Sequence, residues 1–424
     1  MKTLKQCDEK LNGKNLKKVI LGFGALLGLG VLGTSFGQKS DTIPTRLAQT
    51  PPMGWNSWNT FMKGLSDTLL RQVADAMVTN GMRDAGYQYV NIDDGWALPD
   101  RLNDHLQPDP AKFPGGFKPV TDYLHSRGLK FGIYSDRGTL TCVSRSPGSY
   151  GHETTDAEDF AAWGVDYLKY DNCNPAFFST QKKDYRRMYE ALVATRRPIV
   201  FSICAWNFKN WMPEIGNLWR TTDDITDTWG TIVDIIDKNV KSAQYSGPGK
   251  WNDPDMLVVG CFNVLDFQHN RALDGTSELV GNKGLTDVES RSHFSMWAMM
   301  AAPLIASNDV RNMPKKIRDI LINKEVIAVD QDPLGHQGIK VWDSGTGLNV
   351  YSKVLRGNNI RAVALLNRSG TTAVITVNWE DIEIPAGKAA VRDLWDHTNR
   401  GIFSNHYKAT VPSHGMVMLK VIKK

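Results

Sequence analysis

The sequence predicts an α/β protein in which a (β/α)8 TIM barrel is followed by a small antiparallel β-sandwich domain. The first observation is that eight short runs rich in β-branched and aromatic residues alternate with amphipathic segments between residues 53 and 306. This alternation favours a parallel barrel over an open sheet. The second is that beyond Pro333 short strand-like runs are separated by Gly, Asn, Asp or Ser, which is typical of an antiparallel sandwich. We therefore expect the barrel at residues 45–335 and the sandwich at 336–424.

The individual elements follow from the same patterns. Barrel strands are expected at 53–56, 89–92, 130–134, 167–170, 199–202, 218–221, 256–259 and 304–306, with helices at 67–85, 156–163, 182–196, 231–238 and 287–300. In the sandwich, strands are expected at 339–342, 348–351, 360–366, 373–377, 389–393 and 415–421. Trp163, Trp342 and Trp379 are expected in the core, because large aromatic residues are mostly buried.

Residues 1–37 have the pattern of a secretory signal peptide. Six lysines lie before or beside an apolar run at 19–32, and the small residues Ser35 and Gly37 come after it, so cleavage before Gln38 is expected. The run is shorter than the roughly 20 residues that a membrane span needs. The alternative is an uncleaved N-terminal anchor. We expect export to the periplasm or the medium, with no stable membrane span in the mature chain.

Charge and cysteine content exclude several classes of function. The whole chain has a formal net charge of +5, and the six lysines and two acidic residues of the leader leave the remainder at +1. A nearly neutral mature chain gives no electrostatic reason to expect nucleic acid as a partner. Four cysteines remain beyond Cys7, which permits one or two disulfides in an oxidising compartment. Because no C-x-x-C pair, H-E-x-x-H helix or compact D-x-D-x-D-G loop occurs, we expect no metal and no organic cofactor.

Carboxylates recur where the predicted strands end, often with a tryptophan nearby. In chain order they are Asp93, Asp94, Asp136, Asp171, Asp223, Asp224, Asp253 and Asp255. Since the carboxyl ends of all barrel strands open onto one face, these side chains are expected to form a site there. Each one alone could instead be a helix N-cap or an ion-pair partner. Clustered carboxylates with tryptophan and few histidines indicate carbohydrate chemistry, because sugar hydroxyls bind carboxylates and sugar C–H faces stack on aromatic rings.

Two basic residues indicate which carboxylates react. The period of two along a strand places Lys169 and Asp171 on one face, and the lysine favours the ionised form of Asp171 that a nucleophile requires. Arg220 lies close to Asp224 in sequence and could hold a substrate hydroxyl or position this second carboxyl. Glycoside hydrolysis needs two such carboxyl groups flanking the scissile bond, one ionised and one protonated.

Six sequence blocks carry a family signature. In chain order they are Pro51-Pro-Met-Gly-Trp-Asn-Ser-Trp, Asn91-Ile-Asp-Asp-Gly-Trp, Lys130-Phe-Gly-Ile-Tyr-Ser-Asp, Tyr167-Leu-Lys-Tyr-Asp-Asn-Cys, Trp219-Arg-Thr-Thr-Asp-Asp-Ile and Trp251-Asn-Asp-Pro-Asp-Met-Leu. From about Thr50 to Lys424 the chain resembles glycoside hydrolase family 27, the α-galactosidase group of clan D. The resemblance implies a disulfide between Cys142 and Cys173 at the rim of the pocket.

The resemblance also implies a mechanism and a set of substrate contacts. In a retaining double displacement, Asp171 would be the nucleophile, and Asp224 would be the acid in the first step and the base in the second. Their carboxyl groups should then lie about 5–5.5 Å apart. The positions that match the family's galactose-binding residues are Trp58, Asp93, Asp94, Tyr134, Lys169, Arg220 and Asp255, of which the aspartate pair reads the axial 4-hydroxyl and the 6-hydroxyl.

One substrate-binding position departs from the family pattern. Ala205, followed by Trp206, stands where α-galactosidases of the family usually carry a glutamate that contacts the sugar 2-hydroxyl, and where N-acetylgalactosaminidases carry a serine. Losing a hydrogen bond to a charged group costs about 1.5–3 kcal/mol. An α-N-acetylgalactosaminidase is therefore the first alternative within the family. Cys204 and Cys261 match no family disulfide and are expected to be free, buried thiols.

Two further alternatives have less support. The β-L-arabinopyranosidases of the family carry a glutamate at the position of Asp93, so the aspartate here favours galactose over arabinopyranose. A catalytically silent carbohydrate-binding protein is the alternative of a different class, and the intact Asp171, Lys169, Arg220 and Asp224 argue against it. The sequence thus predicts an exported, retaining exo-glycosidase whose partner is a carbohydrate with terminal α-D-galactose.

Overall fold

Eight parallel strands form the first sheet in the computed structural model, which describes residues 47–262, 264 and 284–424. The strands are Met53–Asn56 (β1), Tyr89–Asn91 (β2), Lys130–Asp136 (β3), Tyr167–Asp171 (β4), Val200–Ile203 (β5), Leu218–Arg220 (β6), Trp251–Asp253 (β7) and Leu304–Ala306 (β8). They are hydrogen-bonded in the order β7-β6-β5-β4-β3-β2-β1-β8. A parallel bridge between Leu257 and Ala306 joins the segment after β7 to β8, which closes the sheet. The predicted TIM barrel is confirmed.

Helices alternate with these strands. They are Trp58–Phe61 (α1), Asp67–Thr79 (α2), Met82–Ala85 (α3), Lys118–Ser126 (α4), Glu153–Trp163 (α5), Gln181–Ala194 (α6), Trp229–Asn239 (α7), Asp287–Met299 (α8), Lys315–Leu321 (α9) and Lys324–Asp330 (α10). α2 begins after Ser66, whose hydroxyl accepts a hydrogen bond from the backbone of Leu69, and it buries an apolar face that includes Leu70 and Val73. Among the described residues, no helix is long and apolar enough to cross a membrane. The predicted leader at 1–37 lies outside the described residues.

The seventh strand differs from the predicted one. The sequence pattern favoured the apolar run at 256–259, but β7 is formed by Trp251–Asp253. Asp255 adopts a left-handed backbone conformation with a φ of 81°, which interrupts the extended chain between the two segments. Of the apolar run, Leu257 makes the single bridge to β8, and the other side chains are buried without joining a strand. The prediction of a strand at 256–259 is therefore wrong.

Antiparallel strands make up the C-terminal part of the chain. They are Ile339–Asp343 (β9), Leu348–Val354 (β10), Ile360–Asn367 (β11), Ala373–Asn378 (β12), Lys388–Asp393 (β13), Thr398–Ser404 (β14), His406–Val411 (β15) and Met416–Lys423 (β16). One sheet has the order β14-β13-β16-β11-β10-β9, and β12 pairs with β15 in a second sheet. Val363, Ile375 and Trp379 belong to the apolar core of this region, which confirms the predicted sandwich. Trp342 is 38% exposed on the edge strand β9, contrary to the prediction that it is a core residue.

The sandwich packs directly against the last helices of the barrel. Helix α8 is buried along most of its length, because both parts of the chain cover it. Across this junction Trp395 donates a hydrogen bond from its indole to Ser295 Oγ at 2.9 Å, and Lys353 Nζ donates to the Ala298 carbonyl at 3.1 Å. Burial raises the pKa of Asp330 on α10 to about 8 and lowers that of Lys353 on β10 to about 8. The junction therefore contains two buried titratable groups of opposite charge type.

Candidate active site

A cavity of about 320 Å³ opens at the carboxyl ends of the barrel strands. Twelve of the thirteen predicted site residues line it, namely Trp58, Asp93, Asp94, Tyr134, Cys142, Lys169, Asp171, Cys173, Trp206, Arg220, Asp224 and Asp255. The remaining lining residues, which the sequence analysis did not single out, are Asn59, Val143, Ile225 and Met256. Ala205 is fully buried and packs in the barrel core instead of lining this cavity. The structure thus brings together nearly all of the residues that were predicted to act together.

Asp171 lies at the end of β4 and is almost fully buried. Its two oxygens are held separately: Oδ1 accepts from the Asn172 amide at 2.9 Å, and Oδ2 accepts from the Tyr134 hydroxyl at 3.1 Å. Burial raises the pKa of Asp171 to about 6; the Lys169 ammonium opposes this rise, and the nearby Asp224 carboxyl adds to it. Lys169 therefore favours the ionised form of Asp171, as the sequence predicted, but burial has the larger effect on its pKa.

Asp93 and Lys169 form a buried ion pair beside Asp171. Lys169 Nζ donates to Asp93 Oδ2 at 2.7 Å, and the Asn56 side-chain amide donates to the same oxygen at 2.9 Å. The backbone amide of Asp94 donates to Asp93 Oδ1 at 3.0 Å. Burial is the largest single effect and works against the charge on Lys169, but its neighbours, with Asp93 first and Asp171 adding to it, together hold the pKa of this ammonium well above its usual value. Asp93 is therefore a carboxylate with a fixed orientation, and Asn56 on β1 is a supporting residue.

Asp94 anchors a loop at the rim of the cavity. Its Oδ2 accepts hydrogen bonds from the backbone amides of Val143 and Ser144, at 2.8 and 2.9 Å. Two backbone donors on one oxygen fix the orientation of the carboxylate. They also hold the loop after Cys142 in one position at the rim of the cavity. These contacts are made by backbone atoms, so no residue pattern in the sequence could have revealed them.

The predicted disulfide cross-links two loops at the rim of the cavity. Cys142 and Cys173 are joined with a Cα–Cα distance of 5.2 Å, and Cys142 Sγ lies 3.3 Å from Asp171 Oδ2. Asp136 at the end of β3 accepts hydrogen bonds from the backbone amides of Gly138 and Cys173, at 2.6 and 2.8 Å. A Cβ at Gly138 would lie only 2.0 Å from the Cys173 carbonyl oxygen, so this close approach requires glycine. Asp136 thus supports the loop that carries the disulfide.

Arg220 connects the two acidic residues on the opposite side of the cavity. Its Nη2 lies 3.0 Å from Asp224 Oδ1 and 3.0 Å from Asp255 Oδ2, and it also donates to the Thr222 carbonyl at 3.1 Å. The guanidinium is buried, whereas the Asp224 side chain is 44% exposed. Arg220 therefore holds Asp224 where solvent can reach its carboxyl group. This arrangement matches the positioning role that the sequence allowed for Arg220.

Asp255 is oriented from three sides. The backbone amides of Ile225 and Met256 donate to its Oδ2 and Oδ1 at 2.9 and 2.8 Å, and Trp297 Nε1 donates to its carbonyl at 2.7 Å. These bonds maintain the left-handed conformation that an aspartate rarely adopts. Trp206, which also lines the cavity, has a positive φ of 59°. Such strain in a non-glycine residue persists only where the surrounding structure enforces it, and it is common at functional sites.

The other strand-end aspartates do not line the cavity. Asp223 has a side chain that is 56% exposed and lies 3.9 Å from Lys238. Asp253 is buried beneath the site, where burial raises its pKa to about 6 against the opposing charge of Arg220. These residues and Asp136 are supporting or surface groups, which is the simpler interpretation that the sequence left open for each.

One group of potential metal ligands occurs among the described residues. It consists of the Asp136 and Asp171 carboxylates with the Cys142 and Cys173 sulfurs, all within 4.8 Å of one another. Both sulfurs are joined in the disulfide and cannot act as thiolates. Asp136 is engaged with two backbone amides. This group is therefore better explained as the support of the disulfide loop. Cys204 and Cys261 are free and buried, as predicted.

Comparisons with known proteins cover both the barrel and the sandwich. The sequence profile of alpha galactosidase A matches residues 50–274 and 269–332, and that of the alpha galactosidase C-terminal beta sandwich domain matches residues 345–421. An α-galactosidase from Cyamopsis tetragonoloba is 46% identical over 377 residues, which cover 88% of this chain and 86% of the relative. An α-N-acetylgalactosaminidase from Gallus gallus is 36% identical over 82% of this chain and 87% of the relative.

A solved structure extends the comparison to the fold. The crystal structure of α-galactosidase I from Mortierella vinacea is 37% identical and superposes with a TM-score of 0.80, covering 89% of this chain and 98% of that chain. The sequence profile and the relatives span both the barrel and the sandwich. The chain therefore belongs to the α-galactosidase family, glycoside hydrolase family 27.

Proposed function

We propose that the protein is a retaining exo-glycosidase that hydrolyses terminal α-D-galactosyl residues of oligo- or polysaccharides. The observation that carries this proposal is the pairing of two unlike carboxyl groups in one cavity. Asp171 is buried and held by two donors, whereas Asp224 is half-exposed and held by Arg220. Two carboxyl groups in different environments are what the acid and the nucleophile of a glycosidase require.

In the first step, the Asp171 carboxylate attacks the anomeric carbon while Asp224 gives its proton to the glycosidic oxygen. The C–O bond to the leaving group breaks with its electron pair, and a glycosyl ester with Asp171 forms. In the second step, Asp224 takes a proton from water as the water attacks the same carbon, and Asp171 leaves as a carboxylate. We expect the two carboxyl groups to lie about 5–5.5 Å apart. The two inversions together retain the anomeric configuration.

The hydrogen bonds to Asp171 support its role as nucleophile. The Tyr134 hydroxyl and the Asn172 amide hold one oxygen each, so the carboxylate cannot rotate away from the anomeric carbon. The Lys169 charge favours the ionised form. With its pKa at about 6, Asp171 is mostly a carboxylate at neutral pH, and its raised basicity makes it a stronger nucleophile in the first step than a carboxylate of ordinary pKa.

Substrate recognition is proposed for the remaining lining residues. Asp93 and Asp94 have orientations fixed by Lys169 and by the loop amides, so each can accept from a hydroxyl only in one direction. Fixed acceptors of this kind can distinguish an axial 4-hydroxyl from an equatorial one, and we propose that the same aspartate pair also contacts the 6-hydroxyl. We further propose that the apolar face of the sugar packs on the ring of Trp58 or Trp206, both of which line the cavity.

A second candidate activity, on α-N-acetylgalactosaminides, is favoured by one observation. Ala205 has no side-chain acceptor for a 2-hydroxyl and is withdrawn into the core, so the lining near Trp206 lacks the acidic group that would exclude a bulkier substituent at C2. A family relative from Gallus gallus carries that activity in its name.

A rate comparison tests the proposal. Purified protein is assayed on aryl α-D-galactoside, aryl α-N-acetyl-D-galactosaminide and aryl β-L-arabinopyranoside. We expect the highest kcat/KM on the galactoside and none for the Asp171→Asn variant on any of the three. A higher kcat/KM on the α-N-acetyl-D-galactosaminide would identify the protein as an α-N-acetylgalactosaminidase that uses the same mechanism. No turnover of any of them by the wild-type protein would contradict the proposal.

We also propose export through the leader at 1–37 and a domain boundary between 45–335 and 336–424. The disulfide between Cys142 and Cys173 supports export, because such bonds persist mainly in oxidising compartments. The end of α10 and the start of β9 support the boundary. N-terminal sequencing of the protein from the periplasm or the medium is expected to begin at Gln38, and an intact N-terminus in the membrane fraction would contradict cleavage.

A further inference from the structure

Two adjacent phenylalanines are almost fully exposed on the loop that follows β4. Phe177 is 92% exposed and Phe178 89%, the highest values among the exposed large hydrophobic side chains of the described residues. Their rings meet edge to face, with centroids 4.7 Å apart and planes at 90°. They occupy the two central positions of a turn in which the Ser179 amide donates to the Ala176 carbonyl at 3.0 Å. Contiguous exposed apolar surface of this kind commonly marks a binding site.

The loop that carries this aromatic pair is tied to the barrel at both ends. Arg137 donates to the Asn172 side chain at 2.5 Å and to Ser179 Oγ at 3.3 Å, so one guanidinium closes the loop. Asn174 donates from its side chain to the Leu140 and Thr141 carbonyls, at 3.2 and 3.0 Å. A loop fixed at both ends presents its tip in a defined position, which reduces the entropy lost when a ligand binds.

The same loop is continuous with the catalytic cavity. It begins directly after Asp171, and Cys173, which lines the cavity, is only four residues before Phe177. Four residues of chain reach at most about 14 Å, which bounds the distance of the pair from the cavity rim. A loop that follows a barrel strand lies at the carboxyl-end face, where the cavity opens. The aromatic pair therefore stands on the face where the leaving group of a substrate must emerge from the cavity.

We propose that Phe177 and Phe178 form a subsite that stacks against a sugar ring of the leaving group when the substrate is an oligo- or polysaccharide. The proposal rests on the proposed function. Aromatic side chains bind the apolar C–H face of a pyranose ring, and the cavity itself already presents Trp58 and Trp206 for such contacts. An aromatic side chain buries about 150–250 Å². Two of them fall well short of the roughly 800 Å² that each partner contributes to a stable protein interface, but they match one or two sugar rings.

The test compares two substrates that share the same galactosyl group. One is α-D-galactosyl fluoride, whose leaving group has no ring, and the other is a pentasaccharide that ends in α-galactose. For the double variant Phe177→Ala/Phe178→Ala we expect kcat/KM to fall about tenfold on the pentasaccharide, since each aromatic contact contributes up to about tenfold. On the fluoride we expect a change of less than about twofold. Thermal unfolding checks that the variant is folded.

Two further variants separate stacking from general apolar contact. Phe177→Tyr/Phe178→Tyr keeps flat rings and should retain the wild-type ratio between the two substrates. Phe177→Leu/Phe178→Leu keeps apolar surface without a flat face and should behave like the alanine variant. Trp342→Ala removes an exposed aromatic side chain from β9 in the sandwich and serves as the matched control, for which we expect no change in the ratio.

The possible results are distinct. An unchanged ratio in the alanine variant, an equal loss on both substrates, or a wild-type ratio in the leucine variant would each overturn the subsite. A shift in sedimentation of the alanine variant with no change in the ratio would assign the patch to contact between copies of the chain and would also overturn it. Failure of the wild-type protein to hydrolyse either substrate would instead overturn the proposed function itself.

Discussion

The most informative perturbation is Lys169→Met, which removes the cation beside the proposed nucleophile and keeps a long apolar side chain. Lys169 opposes the effect of burial on Asp171, whose pKa is about 6 with the ammonium in place. An opposite charge nearby lowers a carboxyl pKa by about 1–3 units. Without Lys169 the pKa of Asp171 should therefore rise to at least about 7. Since Asp171 must be ionised to react, activity at pH 5 should fall about tenfold for each unit of this shift.

The assay is the pH dependence of kcat/KM on an activated α-galactoside whose leaving group needs little protonation. Its acid limb reports ionisation of the free enzyme, and in the wild type we expect it near pH 6. In Lys169→Met the limb should move up by at least one unit. The maximum kcat/KM should fall as well, because Asp93 loses the hydrogen bond of 2.7 Å from Lys169. The pH at which the acid limb lies, and not the maximum rate, is therefore the quantity that tests the prediction.

Lys238→Met is the matched control for this prediction. Lys238 is also a lysine paired with a carboxylate, Asp234 at 2.7 Å, but it is half-exposed outside the cavity. We expect its acid limb to coincide with that of the wild type. An acid limb of Lys169→Met that stays near pH 6 would refute the reasoning, because the titrating group would then not be a carboxylate that feels Lys169.

Three further predictions concern the other buried or reactive groups. Asp224→Ala should lower kcat/KM about 10²–10⁴-fold on substrates with sugar leaving groups, and added azide should restore turnover of α-galactosyl fluoride by attacking the Asp171 ester in place of water, which gives the α-galactosyl azide; lack of rescue would contradict the acid/base role. Burial raises the pKa of Asp253 to about 6, so the charged form costs stability above pH 6, and this cost decreases as the pH falls from 6 towards the ordinary carboxyl pKa of about 4. Asp253→Asn should therefore raise the free energy of unfolding by up to about 3 kcal/mol at pH 7.5 and by much less at pH 4.5, as measured by urea denaturation, whereas an equal effect at both pH values would contradict it. With a pKa of about 8, Asp330 is mostly protonated at neutral pH and becomes a buried carboxylate only as the pH rises through 8. Lys353→Met removes the charge that favours this carboxylate, so its stability relative to the wild type should fall between pH 6 and pH 9, and adding Asp330→Asn should abolish this pH dependence. Urea denaturation at the two pH values measures the effect, and an equal difference from the wild type at both would count against the coupling.

Most of the barrel could be predicted because its strands are short, mainly apolar runs separated by amphipathic segments. The exception is instructive. In β7, Trp251-Asn-Asp has little apolar and no β-branched character after its tryptophan, whereas the run at 256–259 is wholly apolar and ends in two valines. The left-handed backbone at Asp255 separates them, and the Ile225 and Met256 amides that hold this residue come from the folded site. The residue types alone favoured a strand at 256–259, but tertiary contacts around Asp255 determine which segment joins the sheet.

Sequence patterns also failed to predict some outer strands of the sandwich. β14 has side chains that are almost all exposed, so it lacks the alternation of buried and exposed residues by which a strand is recognised. β15 alternates only weakly and lies close behind it in sequence. Trp342 was assigned to the core from its residue type, but β9 is an edge strand and leaves this side exposed. Residue type alone does not show which face of an edge strand is covered.

The convergence of the site side chains on one cavity could be predicted, since strand ends in a barrel lie on one face. The network that orients them was not predictable from residue patterns. The backbone amides of Val143 and Ser144 hold Asp94, and those of Gly138 and Cys173 are held by Asp136. The backbone carries no residue-specific signal, so these contacts emerge only from the fold. The burial that raises the pKa of Asp171 is likewise a property of the packed site.

Trapping of the glycosyl-enzyme tests the central claim most directly. The protein is incubated with an α-galactosyl fluoride that carries a further fluorine on the sugar ring, which slows the second step, and is then digested and mapped by mass spectrometry. The account predicts one sugar ester, located on Asp171, with none formed in Asp171→Asn. A label on another carboxylate, or turnover with inversion of the anomeric configuration and no label, would contradict the assignment of Asp171 as the nucleophile.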